Sequence, residues 1–419
     1  MSILSFLTGT GPSSLPGAVN IGSREFKANP FPFYARLRAE APVYRVLLPT
    51  KETAWLITPY DDVTTVLKDE RFVKDTKNAL TAEQAANVLW FRRMFKALGK
   101  NMLNQDPPNH TRLRALVSKA FTPKLIERVR DRIQELADEL IDQTLHRGRM
   151  DLIRDYALPI PTTIIAEMLG VPLAHRHKFQ RWSNAIMSAG SSTWGLLAAV
   201  PHAWAFVRYL RKFIKKRRAD PDDDLVSALV RAEEAGDTLS EDELLAMIML
   251  LLVAGHETTV NLIGNGVLAL LEHPEQLEKL RSDPALIKPA VEELLRYASP
   301  VDMATERYAR EDAVIAGTTI RRGDMVFVVI NSANRDERQF PNPDTLDITR
   351  EPNRHLSFGL GTHFCLGAPL ARLEGQIAIN TLVRRLPNLR LAETGGGRRW
   401  RRGLILRGLE TLPVEFVNR

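Results

Sequence analysis

The chain of 419 residues has one cysteine, Cys365. A single thiol excludes an intramolecular disulfide and a cysteine-ligated iron–sulfur cluster. No uncharged apolar run approaches the roughly 18 residues of a membrane span. The longest, Leu244 to Gly255, is followed at once by His256 and Glu257. The opening Met1-Ser2-Ile3-Leu4-Ser5-Phe6-Leu7 has no basic region and too short an apolar one for a signal peptide, so a cytoplasmic protein without a membrane partner is expected. No Gly-x-Gly-x-x-Gly follows a strand, so a resident flavin or nicotinamide is not expected. Internal repeats and long low-complexity linkers are also missing.

The composition, 44% hydrophobic and 26% charged, is that of a globular protein with a large core. The net charge of +7 comes from 57 basic residues scattered among 50 acids. The densest basic cluster, Arg398, Arg399, Arg401 and Arg402, has no nucleic-acid-binding signature around it and reads as solvated surface, so no nucleic-acid partner is expected. Length alone suggests two or three domains, but the even spread of Pro and Gly argues for one body over 1–419.

Periodicity predicts a mainly α fold with a small β portion, α+β in class, strands lying toward both ends of the chain. Helices are expected at Phe33–Glu40, Tyr60–Lys68, Lys124–His146 and Leu225–Ala235, and a long one from Ser240 to Pro274. Ser240 with Glu243 three residues on reads as a capping box, and at ~1.5 Å per residue this helix would cross the core over about 50 Å. Strands are expected at Val43–Leu48, Ala54–Ile57, Ala313–Ile315, Thr318–Ile320 and Met325–Ile330, with a closing hairpin of Leu404–Arg407 and Pro413–Val417.

Four groups of residues carry chemistry. Phe358-Gly359-Leu360-Gly361-Thr362-His363-Phe364-Cys365-Leu366-Gly367 surrounds the cysteine with glycines that let the backbone wrap close to a sulfur. Backbone N–H groups and the positive end of a following helix would stabilise a thiolate there. A lone cysteine is otherwise a buried residue or a nucleophile. Ala254-Gly255-His256-Glu257-Thr258-Thr259 places an acid and an alcohol in the middle of the long helix, where small residues at Ala254 and Gly255 would admit a flat ligand. Burying Glu257 is costly unless it is paired or reached by water, and Thr258 can bond its own helix carbonyl or a water. Glu293 and Arg296 share a helix face, as surface pairs commonly do. His110 and Arg114, also on one face, offer the donors that a buried carboxylate needs.

The cysteine decapeptide resembles the haem-binding loop of the cytochromes P-450, Phe-x-x-Gly-x-x-x-Cys-x-Gly, and Phe358, Gly361, His363, Cys365 and Gly367 fit it. The long-helix hexapeptide resembles that family's dioxygen-site signature. The resemblance covers most of the chain and is to the soluble bacterial type. It implies the family's triangular-prism fold, haem b between the long helix and the cysteine loop, and insertion of one oxygen atom of dioxygen into a small apolar substrate. By the same resemblance Cys365 ligates the iron, Glu257 and Thr258 deliver protons, and Ala254, Phe358, Gly359, His363 and Gly367 border the haem. His110, Arg114, Arg307 and His363 hold its propionates. Glu293 and Arg296 are structural, with Arg354 or its neighbours Asn353 and His355 as partner.

The segments that shape the family's pocket give as candidate walls Trp90, Phe91, Met94, Met187, Trp194, Leu251, Ala254, Val301, Met303, Ala304, Leu404 and Ile405. They suit a fatty acid, terpenoid, steroid or macrolide-like compound. Electrons are expected from a ferredoxin or flavodoxin docking on Arg112, Lys119, Lys124 and Arg372. The alternatives are a peroxide-driven peroxygenase, which in that family typically lacks the acid–alcohol pair, a haem-binding sensor without turnover, and a cysteine hydrolase using Cys365 and His363. The reduced protein with carbon monoxide should show a strongly red-shifted Soret band that Cys365→Ala loses. An unshifted band, or no haem band, would overturn the cysteine assignment.

Overall fold

The structure is a computed structural model that describes residues 19–48, 52–80, 100–176, 178, 181–182, 193–234, 239–393 and 398–417, of which 193–199, 233 and 234 are described for their backbone only. The axis of the fold is the helix Glu241–Glu272. Ser240 starts it with the expected capping box: its Oγ accepts from Glu243 N at 3.3 Å, and Glu243 Oε2 accepts from Ser240 N at 2.8 Å. His273 ends it, and Pro274 opens the next helix, Pro274–Ser282. Helices Pro159–Met168, Ile287–Tyr297 and Ala368–Arg385 pack on this axis. Among the described residues it is also the one helix long and apolar enough to cross a membrane, which the sequence did not lead us to expect. In its most apolar stretch 61% is buried against the rest of the protein, and that burial accounts for the composition. Close packing fixes the register: a Cβ added at Gly375 would lie 2.9 Å from Leu262 Cδ2.

The strands form a smaller layer. Strands β1 (Val43–Leu47) and β2 (Thr53–Ile57) are an antiparallel pair. β2 then runs parallel to β8 (Met325–Val328), and β5 (Arg307–Ala309) and β3 (Phe72–Val73) complete a sheet of order β1-β2-β8-β5-β3. β6 (Ala313–Ile315) pairs with β7 (Thr318–Ile320), and β4 (Arg149–Asp151) pairs with β10 (Pro413–Glu415), which also pairs with β9 (Arg390–Leu391).

Local expectations fail where a distant partner intervenes. The predicted helix over Lys124–His146 is two helices, Pro123–Arg128 and Arg130–Leu145, because Val129 turns tightly and its N–H reaches Ile126 O at 3.3 Å. β8 stops at Val328, since Ile330 already belongs to the short helix Ile330–Ala333. The predicted C-terminal hairpin does not form. Leu406 bridges to Val301 and Arg407 N donates to Pro300 O, while Pro413–Glu415 joins β4 and β9.

Helix Ile287–Tyr297 carries the Glu293–Arg296 pair, both side chains fully buried. Arg296 donates Nε to Glu293 Oε2 at 2.7 Å and Nη2 to Oε1 at 2.8 Å. Its other donors bond Asn334 O, Pro343 O and Thr345 O. The further partners of Glu293 are Arg350 Nε at 3.1 Å and Asn353 Nδ2 at 3.0 Å. Arg354 is not among them: its carbonyl accepts from Tyr60 Oη, and His355 bonds Glu292 instead. Cutting a buried pair from one side strands the other charge. Glu293→Ala should therefore destabilise the fold by ~3–5 kcal/mol in denaturant unfolding. A loss below about 1 kcal/mol would contradict the structural role.

Candidate active site

The loop before helix Ala368–Arg385 bends back on itself through Gly359 (φ +69°) and Gly361 (φ +74°), conformations that favour glycine. A Cβ on Gly361 would lie 3.0 Å from Leu67 O, so the loop sits directly on helix Tyr60–Lys68. Cys365 N donates to Phe358 O at 2.9 Å, closing the turn. The ring of Phe358 is covered by the Arg372 guanidinium at 4.4 Å, and Arg372 is held by Glu292 at 2.7 and 2.8 Å. Burial pushes the Cys365 thiol up, while the N–H groups of Gly367 and Ala368 at its sulfur, with Arg114 and Arg372 nearby, pull the other way. Those N–H groups suit a thiolate, and a bound metal ion would supply the charge that deprotonates it.

Beside this loop is a cluster of basic groups. The rings of His110 and His363 lie 4.3 Å apart between centres. Arg114 reaches Thr362 O at 3.2 Å, and Arg307 donates Nη1 to Phe72 O at 3.1 Å. Lys74 Nζ bonds Thr305 O at 2.7 Å and Glu306 O at 2.9 Å. Burial and the neighbouring cations push His363 down to about 2. Burial, then Arg307, pushes Lys74 down to about 7; burial brings Arg307 down to about 10 and also lowers His110. Of the carboxylates near the cluster, Asp106 is committed to Lys74 N, Asp75 N and Asn78 Nδ2. Both ring nitrogens of His110 and the Nε of Arg307 are buried without partners. A concentration of unpartnered cationic donors fits a group bearing two carboxylates. Lys74 belongs to this cluster and was not anticipated: no local pattern marks it, because Thr305 and Glu306 bring it there from across the sheet.

The third part is the central helix. Residues 244–249 and 259–270 are buried, yet Val253 and Ala254 are exposed in between, so the helix presents small side chains to open space midway along its length. Thr258 Oγ1 donates to Ala254 O at 3.0 Å. His256 is buried, Nδ1 to Leu252 O at 2.8 Å, and burial lowers its pKa. Glu257 is ion-paired with Arg401 at 3.3 Å. The C-terminal arginines are thus paired rather than simply solvated: Arg398 with Glu272, Arg399 with Glu410 and Arg401 with Glu257. Arg401 is a site residue missed in the sequence. Behind the helix Glu374 is fully buried against Thr259 and pushed up to about 8 by burial.

Of the expected substrate walls, Leu251, Val301, Ala304, Leu404 and Ile405 are half-buried and Ala254 is exposed. The backbone joins several of them, Asp302 N and Met303 N both donating to Ile405 O. Met303 does not qualify. It is fully buried in the cluster with Tyr34, Leu37 and Phe327, because the bend at 302–303 turns its side chain into the core. Trp90, Phe91, Met94 and Met187, and the side chain of Trp194, lie outside the described residues. In the expected docking patch, Lys119 and Lys124 are exposed, whereas Arg112 is paired with Glu243 and Arg372 with Glu292.

The family model described as Cytochrome P450 matches residues 10–284 and 284–387. The polyketide biosynthesis cytochrome P450 PksS of Bacillus subtilis is 47% identical over 396 residues, covering 94% of this chain and 97% of PksS. Its solved structure superposes with a TM-score of 0.88 at 46% identity, over 95% of this chain and 100% of that one. The cytochrome P450 monooxygenase PikC of Streptomyces venezuelae is 44% identical, covering 98% and 97% of the two chains. The myxobacterial cytochrome P450 CYP267B1, solved in complex with myristic acid, gives a TM-score of 0.89 at 42% identity, over 95% of this chain and 99% of that one. With its cysteine loop, its basic cluster and a fold shared over nearly its whole length with these enzymes, the chain belongs to the cytochrome P450 family and is a haem b monooxygenase of small organic substrates.

Proposed function

We propose that the chain works as a single body over 1–419 and hydroxylates or epoxidises an apolar polyketide- or fatty-acyl-like substrate in the cytoplasm. The similarity to PksS and to an enzyme solved with myristic acid supports that substrate class. The reading rests on one observation, an acid and an alcohol at the break in burial of the central helix. Bound haem supplies the activation of dioxygen, and the protein supplies ligand, protons, orientation and exclusion of water. Cys365 would hold the iron; His110, Arg114, Arg307, His363 and Lys74 would take the propionates.

Thr258 holds its hydroxyl on the Ala254 carbonyl, loosening the helix bond there, so that the hydroxyl can pass a proton from one side to the other. Glu257 meets Arg401 at partly exposed positions, so its carboxylate can exchange protons with solvent and swing between Arg401 and the helix interior. Electrons would come from a separate ferredoxin or flavodoxin, docking on the face that carries exposed Lys119 and Lys124. The intact acid–alcohol pair favours this reading over a peroxygenase and over a sensor without turnover.

Thr258→Ala and Glu257→Gln should each lower product formation by about 100-fold or more while dioxygen is still consumed and released as peroxide. Coupled turnover at the wild-type rate would remove both from proton delivery, and turnover with peroxide but none with dioxygen and reductase would replace the reading.

Lys74 gives a test on cofactor binding. A propionate beside it favours the charged amine, so haem uptake should take up a proton once the free protein is above about pH 7, and this part of the affinity should fall as pH rises. In titrations of the haem-free protein, Lys74→Met should remove that downward slope. Identical slopes would place Lys74 outside the propionate site.

A further inference from the structure

A cleft of about 690 Å³ opens between helix Phe31–Glu40, the C-terminal end of the central helix and the segment Arg398–Arg407, and none of its lining residues belongs to the haem site. One of its walls is a column of alternating rings and guanidinium groups. Arg407 lies 3.8 Å from the ring of Trp400 and 5.2 Å from that of Phe31. Arg335 lies 3.8 Å from Phe31 and 4.0 Å from Tyr297. Stacking occupies the faces of a guanidinium and leaves its in-plane N–H edge for hydrogen bonds.

The edge of Arg335 is largely taken up within the chain, and that of Arg407 is not. Arg335 gives Nη1 to Asp344 at 2.7 Å and Nη2 to Tyr297 O at 2.8 Å, and its buried Nε has no partner. Arg407 bonds only neutral groups among its described contacts, Lys27 O at 2.9 Å and Ala28 O at 3.3 Å. The other arginines of the cleft each have a carboxylate: Arg38 with Glu337, Arg335 with Asp344 and Arg398 with Glu272. Among the described residues Arg407 has none within ion-pairing distance, and burial brings it down to about 10, with Asp302 and Glu272 opposing and Arg335 adding to the effect. A buried cation whose counter-charges stand off without touching it is only partly compensated, and a ligand carboxylate bonded to it directly would add to that compensation. The cleft is also held in shape, because Asn265 Nδ2 grips Arg407 O at 2.9 Å and Ala298 O at 3.3 Å. Pro32, Ala35, Leu268 and Ala269 give the lining an apolar side, while its two carboxylates, Glu272 and Asp344, are engaged by Arg398 and Arg335.

We propose that this cleft is a second ligand site, taking a small organic carboxylate at the free guanidinium edge of Arg407, its apolar body resting between the two helices. A guanidinium edge takes carboxylate and phosphate alike, and it is the apolar surface of Pro32, Ala35, Leu268 and Ala269 beside it that favours an organic carboxylate over inorganic phosphate.

The test is calorimetry on the haem-loaded protein, with sodium benzoate and inorganic phosphate as probes and the Soret band recorded in parallel. Benzoate should bind saturably in the millimolar range without moving the Soret band, and phosphate more weakly. Arg398→Glu, at the rim, should weaken benzoate several-fold. Ala35→Trp, a substitution at an exposed helix position, should fill the cleft and abolish binding. No saturable heat, unchanged affinity in Ala35→Trp, or a Soret response that follows saturation would overturn the site. Phosphate binding as tight as benzoate would overturn the carboxylate assignment. A failed carbon monoxide spectrum would count against the haem reading and leave this result standing.

Discussion

Two adjacent carboxylates, Glu292 and Glu293, hold the cysteine loop in place, and the rest of the site depends on them. Glu293 faces inward and gathers Arg296, Arg350, Asn353 and the backbone N–H of Asp347. Glu292 faces the cysteine side and takes Arg372 and His355; burial alone would raise its pKa, but these partners bring it to about 2. Through Arg372 the anchor reaches the ring of Phe358, whose carbonyl receives the Cys365 N–H. An ion pair, a guanidinium-on-ring contact and a backbone hydrogen bond thus run in sequence from one helix to the backbone of Cys365. Charge-assisted bonds are worth most when buried and fully satisfied, as Glu293 and Arg296 are.

The opposite principle governs the basic cluster. There the protein leaves cations next to one another, with His110 and Arg307 donors unpartnered, and burial depresses several of them. That arrangement is unfavourable in the protein alone and becomes favourable with a dianionic partner. On the proposed reading, affinity for the cofactor would be built from interactions that the fold itself leaves incomplete, while the Glu293 network, complete in itself, supplies rigidity.

Much of this was legible in the sequence wherever a feature is local. The central helix could be read because its cap, its apolar run and Pro274 are contiguous, and Tyr60–Lys68, Ala313–Ile315 and Thr318–Ile320 fall where periodicity puts them. The cysteine loop could be read because glycines with positive φ leave a fixed spacing. What was not legible is held by distant contacts. Leu404–Arg407 was taken for half of a hairpin because nothing local says that it belongs to Pro300 and Val301. Arg350, Lys74 and Arg401 carry no pattern of their own, and each acquires its place from an acid or a carbonyl more than fifty residues away. Met303 misled in the other direction: its composition suits a pocket wall, and only the turn of the backbone sends it into the core.

Because Glu292 and Glu293 are consecutive on one helix, yet serve two different loops, the helix can tolerate substitution far better than a change of length. One inserted residue before them would rotate both carboxylates by about 100° and release both anchors together. Over evolutionary time this stretch should admit neither insertion nor deletion, so that length variation among descendants of this chain has to be absorbed elsewhere, in segments that do not bear on the sulfur.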